Sequence, residues 1–177
     1  MSASYMMSPG VSSVDANNAK GELEKWTTTH RSDLSDKVST RPFEPIPIRN
    51  QSTLISEKFQ PQARTHAAKI LGCPTDQVFF TNHIVMRYNI LDRPKPWVSA
   101  AHKGKAITII ALGDLNSDNG LPGFGDPPEY CSLQSGQALH ALADAPQNFK
   151  GHSIGWALVL TWTRRSQMFH SSANAES

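Results

Sequence analysis

Between Gly104 and Arg165 short β-prone runs alternate with turn signals, and this rhythm restricts the fold more than any other feature of the chain. Lys105–Leu112 (KAITIIAL) is rich in β-branched residues and breaks at Gly113-Asp114, after which Asn116–Pro128 is dense in turn formers. Glu129–Leu133, Ser135-Gly136 and Gln137–Ala143 read as strand, tight turn and strand. In Trp156–Thr163 (WALVLTWT), Trp156, Leu158, Leu160 and Trp162 share one face, and Ala157, Val159, Thr161 and Thr163 the other, because successive strand side chains point to opposite sides. Period-two patterning between closely spaced turns predicts an all-β sandwich or barrel.

The first half of the chain is less regular. Met1–Lys20 is rich in Ser, Ala and Asn with isolated hydrophobics and reads as a disordered tail. Gly21–Trp26 is long enough for one helical turn. Arg41–Arg49 (RPFEPIPIR) carries too much proline for a helix or a central strand and reads as an extended arm or edge strand, anchored by Phe43, Ile46 and Ile48. Ser56–Leu71 reads as a helix with an apolar stripe of Ala63, Ala67, Ala68, Ile70 and Leu71, closed by Gly72 at its C-terminal cap. Gln77–Tyr88 (QVFFTNHIVMRY) is a strand with Asn82, Ile84, Met86 and Tyr88 on one face and His83, Val85 and Arg87 on the other. A polar, Pro-containing loop, Asn89–Lys105, leads to the next strand. The expected organisation is a flexible Ser/Pro-rich tail and arm (1–50), one barrel domain (51–170) and a C-terminal tail (171–177).

Composition narrows the partners. A formal charge of +2 and a pI of about 8.6 permit a nucleic-acid partner without arguing for one. Cys73 and Cys131 lack metal-binding spacing and fit reduced, buried thiols. No apolar run approaches the roughly 20 residues that cross a bilayer, and residues 1–20 lack a basic segment followed by an apolar core. A cytoplasmic or nuclear protein with no membrane partner is expected.

In order and spacing, residues 57–165 resemble the double-stranded β-helix (jelly roll) of the 2-oxoglutarate/iron(II) oxygenases, in particular the AlkB and prolyl-hydroxylase branches. The segments that carry the likeness are Asn82–Tyr88 (NHIVMRY), Ile107–Gly113 (ITIIALG), Asn119-Gly120, Phe124-Gly125, Gly136–Ile154 and Trp156–Arg165. The resemblance implies a mainly β fold with one packed helix. It also implies an iron(II) centre held by two histidines and a carboxylate, with open positions for 2-oxoglutarate and oxygen. Carried onto this chain, His152 is the candidate third ligand, with His102 and Asp114 as the groups that would complete the set. Arg164 or Arg165 would pair with the 2-oxoglutarate carboxylate, His83 and Arg87 would point into the barrel mouth, and Arg87 and Tyr88 are further cofactor-site candidates. The chain departs from the pattern at one point. Trp97-Val98-Ser99 stands where the family places H-x-D or H-x-E, and none of the seven histidines has Asp or Glu two residues later.

Each candidate has a plainer alternative. His152 and His102 also read as solvated loop residues, and Arg87 as the partner of Asp92, Asp114 or Glu129. His140 reads as a satisfied mid-strand residue, and Trp156 and Trp162 as core instead of a stacking platform. Ser99 and Ser135 lack the His and Asp spacing of a hydrolase triad, and the glycines near Gly120 do not form a nucleotide loop. Three functions follow. One is an oxygenase-like protein with an altered or lost iron site; if active, it would hydroxylate or demethylate a small-molecule or modified macromolecular substrate. The second is a non-catalytic jelly-roll module that binds a small molecule or a nucleic-acid base. The third is a structural assembly subunit.

Overall fold

The computed structural model describes residues 5–30, 43–89, 103–150 and 153–165. Its centre is β8 (Ile154–Arg164), which pairs antiparallel with β3 (Val78–Asn89) on one side and β4 (Lys105–Ala111) on the other. The sheet is completed by β1 (Tyr5–Ser8), β2 (Phe43–Ile46) and β6 (Ala138–Leu142), in the order β1-β6-β4-β8-β3-β2. Two short strands, β5 (Gly123–Phe124) and β7 (Gln147–Asn148), pair as a second sheet. Two helices, α1 (Ser13–Thr29) and α2 (Asn50–Leu71), accompany the strands. The fold is mainly β with two helices.

Strand alternation divides the interior into two layers. Trp156, Leu158, Leu160 and Trp162 of β8 join Ala106 and Ile110 of β4 in a cluster with α1 and α2. The opposite face carries Ala157, Val159, Ile107, Ile109 and Leu139, which pack with Phe124, Leu133 and Phe149 from the second sheet and its loops. The first side is called the helix face below and the second the inner face. Each fully buried Leu, Ile or Phe contributes about 1.5–3 kcal/mol by leaving water, so both layers are needed to hold the sheet.

The N-terminal region differs from expectation. Residues 5–8 are an edge strand in register with β6, and residues 13–29 are a helix of 17 residues, not a disordered tail and one turn. Ser12 caps α1 by accepting the Asp15 amide at 3.1 Å. The buried face of α1 consists of Ala16, Ala19 and Leu23, residues small enough to lie close to the molecule without forming a visible hydrophobic stripe. The arm behaves as an edge strand: Phe43 and Ile46 are buried, and β2 pairs with residues 85–88 of β3.

The second helix begins six residues earlier than its sequence pattern suggests, at Asn50. Ser52 accepts the Arg49 amide at 2.9 Å and fixes that start, and Gly72 ends the helix in the left-handed conformation at φ +61°. Glu129–Leu133 is not a strand. It contributes only isolated bridges, Phe124 with Glu129 and Leu115 with Leu133, directly after Pro127 and Pro128, which have no amide hydrogen to give a ladder.

Candidate functional site

The inner face is where a barrel of this kind would hold a ligand, and its middle is packed with apolar side chains. Two glycines let backbone and rings close on one another there. A Cβ at Gly155 would stand 2.0 Å from the Asn119 carbonyl oxygen, and one at Gly120 would stand 2.3 Å from Cβ of Tyr88. The Asp114–Leu121 loop therefore sits directly on the start of β8. It is fixed in place by Asn119, whose side chain accepts the Asn116 amide at 2.7 Å and donates to the Asp114 carbonyl at 2.8 Å. The Ser153 amide donates to the Asp118 carbonyl at 3.0 Å, tying the loop to the approach of β8. Gln147 on β7 is a buried polar residue beside this layer. At the edge of the layer, burial holds both the Tyr5 hydroxyl and the Cys131 thiol above their ordinary pKa values. Cys131 is thus a neutral thiol and not a ready nucleophile.

The sequence-derived candidates fall in different parts of the molecule where they are described. His102 and His152 lie outside the described residues. Asp114 is exposed, and its carboxylate accepts the Ser135 amide at 3.0 Å, the role of a turn-fixing residue. Tyr88 does face inward, but it is core: its ring lies 6.1 Å from that of Phe149, and full burial drives its hydroxyl pKa far upward. Arg87 points to the helix face instead of the barrel mouth, where its guanidinium meets Glu44 of β2 at 3.2 Å and lies over the Trp156 ring. Its partner is Glu44, not Asp92, Asp114 or Glu129. Arg164 pairs in register with Val78, whereas Tyr88 pairs with Gly155. At ~3.3 Å per residue these ends of β3 are about 33 Å apart, so Arg164 and Arg165 cannot share a small ligand with Arg87 and Tyr88.

The described histidines near the sheet lie on the helix face. His140 is fully buried and bonded through both ring nitrogens, Nε2 to Ser8 Oγ at 2.9 Å and Nδ1 to Thr108 Oγ1 at 2.9 Å. Trp162 Nε1 donates to the same Thr108 oxygen at 3.1 Å. Indole is a donor only. The arrangement is satisfied when Thr108 donates to Nδ1 and the Nε2 hydrogen goes to Ser8, which makes the imidazole neutral. Burial, with His66 stacked 4.5 Å away, lowers the His140 pKa to about 3. His83 bonds Ser56 at 2.8 Å. His140 is thus the satisfied strand residue that its sequence context suggests. Ser8, Thr108 and His66 carried no sequence signal, because an isolated hydroxyl or helix histidine has no pattern of its own.

No family model matches the chain, and no curated protein matches it in sequence. Solved structures match its fold. One is the nickel complex of the non-heme monooxygenase ThoJ, with a TM-score of 0.59 and 11% identity over 91% of this chain and 74% of that one. HygX from Streptomyces hygroscopicus, with nickel and 2-oxoglutarate bound, has a TM-score of 0.61 and 11% identity over 91% of this chain and 83% of that one. The non-heme alpha-ketoglutarate-dependent epimerase SnoN from nogalamycin biosynthesis has a TM-score of 0.54 and 12% identity over 91% and 76%.

The group that such a fold implies, a non-heme metal with 2-oxoglutarate, does not fit the residues described here. Among the described residues the inner layer buries neither an imidazole nor a carboxylate, and His66, His83 and His140 are on the other side of the sheet. No three metal-binding side chains come together among the described residues. The chain shares the fold of non-heme, 2-oxoglutarate-dependent enzymes and, among its described residues, not their donor set.

Proposed function

We propose that the two sheets are the halves of a double-stranded β-helix of the 2-oxoglutarate oxygenase type, and that its iron site is altered or lost. In this reading the protein acts by binding and not by oxidation. The observation that carries it is the packing of the Asp114–Leu121 loop onto Gly155, which puts main chain against the inner face of β8. Two further features support it. The 177-residue sequence contains no H-x-D or H-x-E, and among the described residues no buried side chain of the inner layer is charged, whereas burying a dicarboxylate without a partner is costly. The pairing of the arm's edge strand within its own chain favours a binding role over an assembly-subunit role.

Anaerobic titration with iron(II) and 2-oxoglutarate, read by thermal shift and visible absorption, tests the proposal. A ligand at 100 times its Kd adds about 2.7 kcal/mol to native stability, or roughly 5–11 °C in Tm for a chain this long. The expected result is a Tm unchanged by the pair together and no new absorption band. A joint stabilisation with a charge-transfer band would overturn the reading.

A further inference from the structure

At one end of the six-stranded sheet two arginines lie over a single aromatic ring, and three more cations stand on the adjoining strand ends. Phe79 of β3, Thr163 of β8 and Lys105 of β4 stand in one row, by the pairing of Phe79 with Thr163 and of Lys105 with Thr163. Arg164 and Arg165 continue β8 past this row, and Lys103 lies two residues before Lys105. The Arg165 guanidinium is 5.9 Å from the centre of the Phe79 ring, and that of Arg64, on α2, is 5.7 Å from it. Arg64 is anchored by its Nε, which donates to the Val78 carbonyl at 2.8 Å, so its terminal nitrogens stay available. Lys103, Arg164 and Arg165 are exposed.

Among the described residues these charges form no ion pair. The ion pairs among the described residues join Lys20 to Glu24, Lys58 to Asp15 and Arg87 to Glu44, and none involves the five. Two carboxylates are near: Asp76, exposed on the turn before β3, and Asp144, whose oxygen accepts the Gly104 amide at 3.1 Å. Among the described residues, five positive charges on these strand ends and α2 thus stand beside two negative ones, in a chain whose formal total is only +2. Exposed cations side by side repel one another and do nothing for folding. Three of the five are arginines, whose planar forks suit phosphate oxygens. Two of those are held over an aromatic ring, which limits the rotamer freedom that binding would otherwise remove.

We propose that this end of the sheet binds the phosphodiester backbone of a nucleic acid. The breadth of the patch favours a polyphosphate chain over one phosphate group. Phe79 and Lys105 are two strand spacings apart, about 10 Å, and Arg164, Arg165 and Lys103 lie beyond that row at the same end of the sheet. Sequence preference is not expected, because the contacts are to backbone charge. The patch is independent of whether the barrel holds iron.

The test is fluorescence anisotropy with a labelled, mixed-sequence single-stranded oligonucleotide across a salt series. The expected result is saturable binding whose logarithm falls with log salt at a slope of about −0.7 per phosphate contacted, hence near −3 for four or five contacts. Arg164→Gln with Arg165→Gln should weaken binding about tenfold or more and reduce the slope by about 1.4, two contacts' worth. Both side chains are exposed, so the variant's circular dichroism and Tm should match the parent's. Arg87→Gln, remote from the patch, should bind like the parent. Absence of saturable binding at low salt would overturn the proposal, as would binding unaffected by the double substitution. Binding to phosphatidylserine vesicles but not to the oligonucleotide would overturn it in favour of a membrane surface.

Discussion

The two faces of the one sheet solve burial in opposite ways. On the helix face, Ser8, Thr108, His140 and Trp162 are buried together and satisfy one another through a chain of hydrogen bonds. On the inner face, ligand-bearing side chains give way to Ile107, Ile109, Val159 and Phe124, and a glycine admits the neighbouring main chain. His66, His83 and His140 are therefore structural, and the inner face is built like a core. A histidine's meaning depends on which layer covers its strand, and that is set by tertiary packing.

The contrast can be broken first where it is strongest. Phe124→Ala removes a large, fully buried ring from the inner layer and should cost about 3–5 kcal/mol, measured by urea unfolding. If the inner layer were a solvated pocket, the loss would stay below ~1 kcal/mol.

Adjacent positions on β4 sharpen the comparison. Thr108→Val deletes the hydroxyl shared by His140 and Trp162 and leaves buried polar groups unpaired, which should cost about 2–3 kcal/mol. Ile109→Val, one residue on but facing inward, should cost about 1 kcal/mol. Equal losses would mean that the hydrogen-bonded chain is dispensable.

Acid should act on the helix face alone. The native His140 pKa of about 3 lies below the unfolded value near 6.5, so the unfolded chain binds more protons between these limits. Its contribution to stability is present above the unfolded value and is lost as pH falls through that window. From pH 7 to 5 the parent should lose on the order of 1–2 kcal/mol more than His140→Asn, and identical pH profiles for the two would refute the neutral-imidazole assignment. The smallest effect should come from Glu44→Gln, which breaks the half-buried pair with Arg87 and should change stability by less than ~1 kcal/mol.

Much of the sheet was legible in the chain, and little of the site. The strands at 105–112 and 156–163, the edge strand of the arm and the glycine cap at Gly72 follow from side-chain period and backbone constraint. α1 was hidden because its buried face is Ala16, Ala19 and Leu23 amid Asn, Lys and Glu. Alternation separated His83 and Arg87 from Ile84 and Met86 correctly, yet it could not say which set faces the helices. That choice depends on what packs above each face. Gly155 was the overlooked signal: a glycine inside a strand of large residues marks a close backbone approach.

The most direct test of the central claim places a paramagnetic metal against both faces at once. Manganese(II) and 2-oxoglutarate are added to methyl-labelled protein, and the linewidths of Ile107, Ile109, Leu139 and Val159 are compared with those of Leu158 and Leu160 on the opposite face. A packed inner layer without a metal site predicts no selective broadening of the inner set. Saturable broadening of those methyls, dependent on 2-oxoglutarate, would show a metal seated inside the barrel and contradict the account.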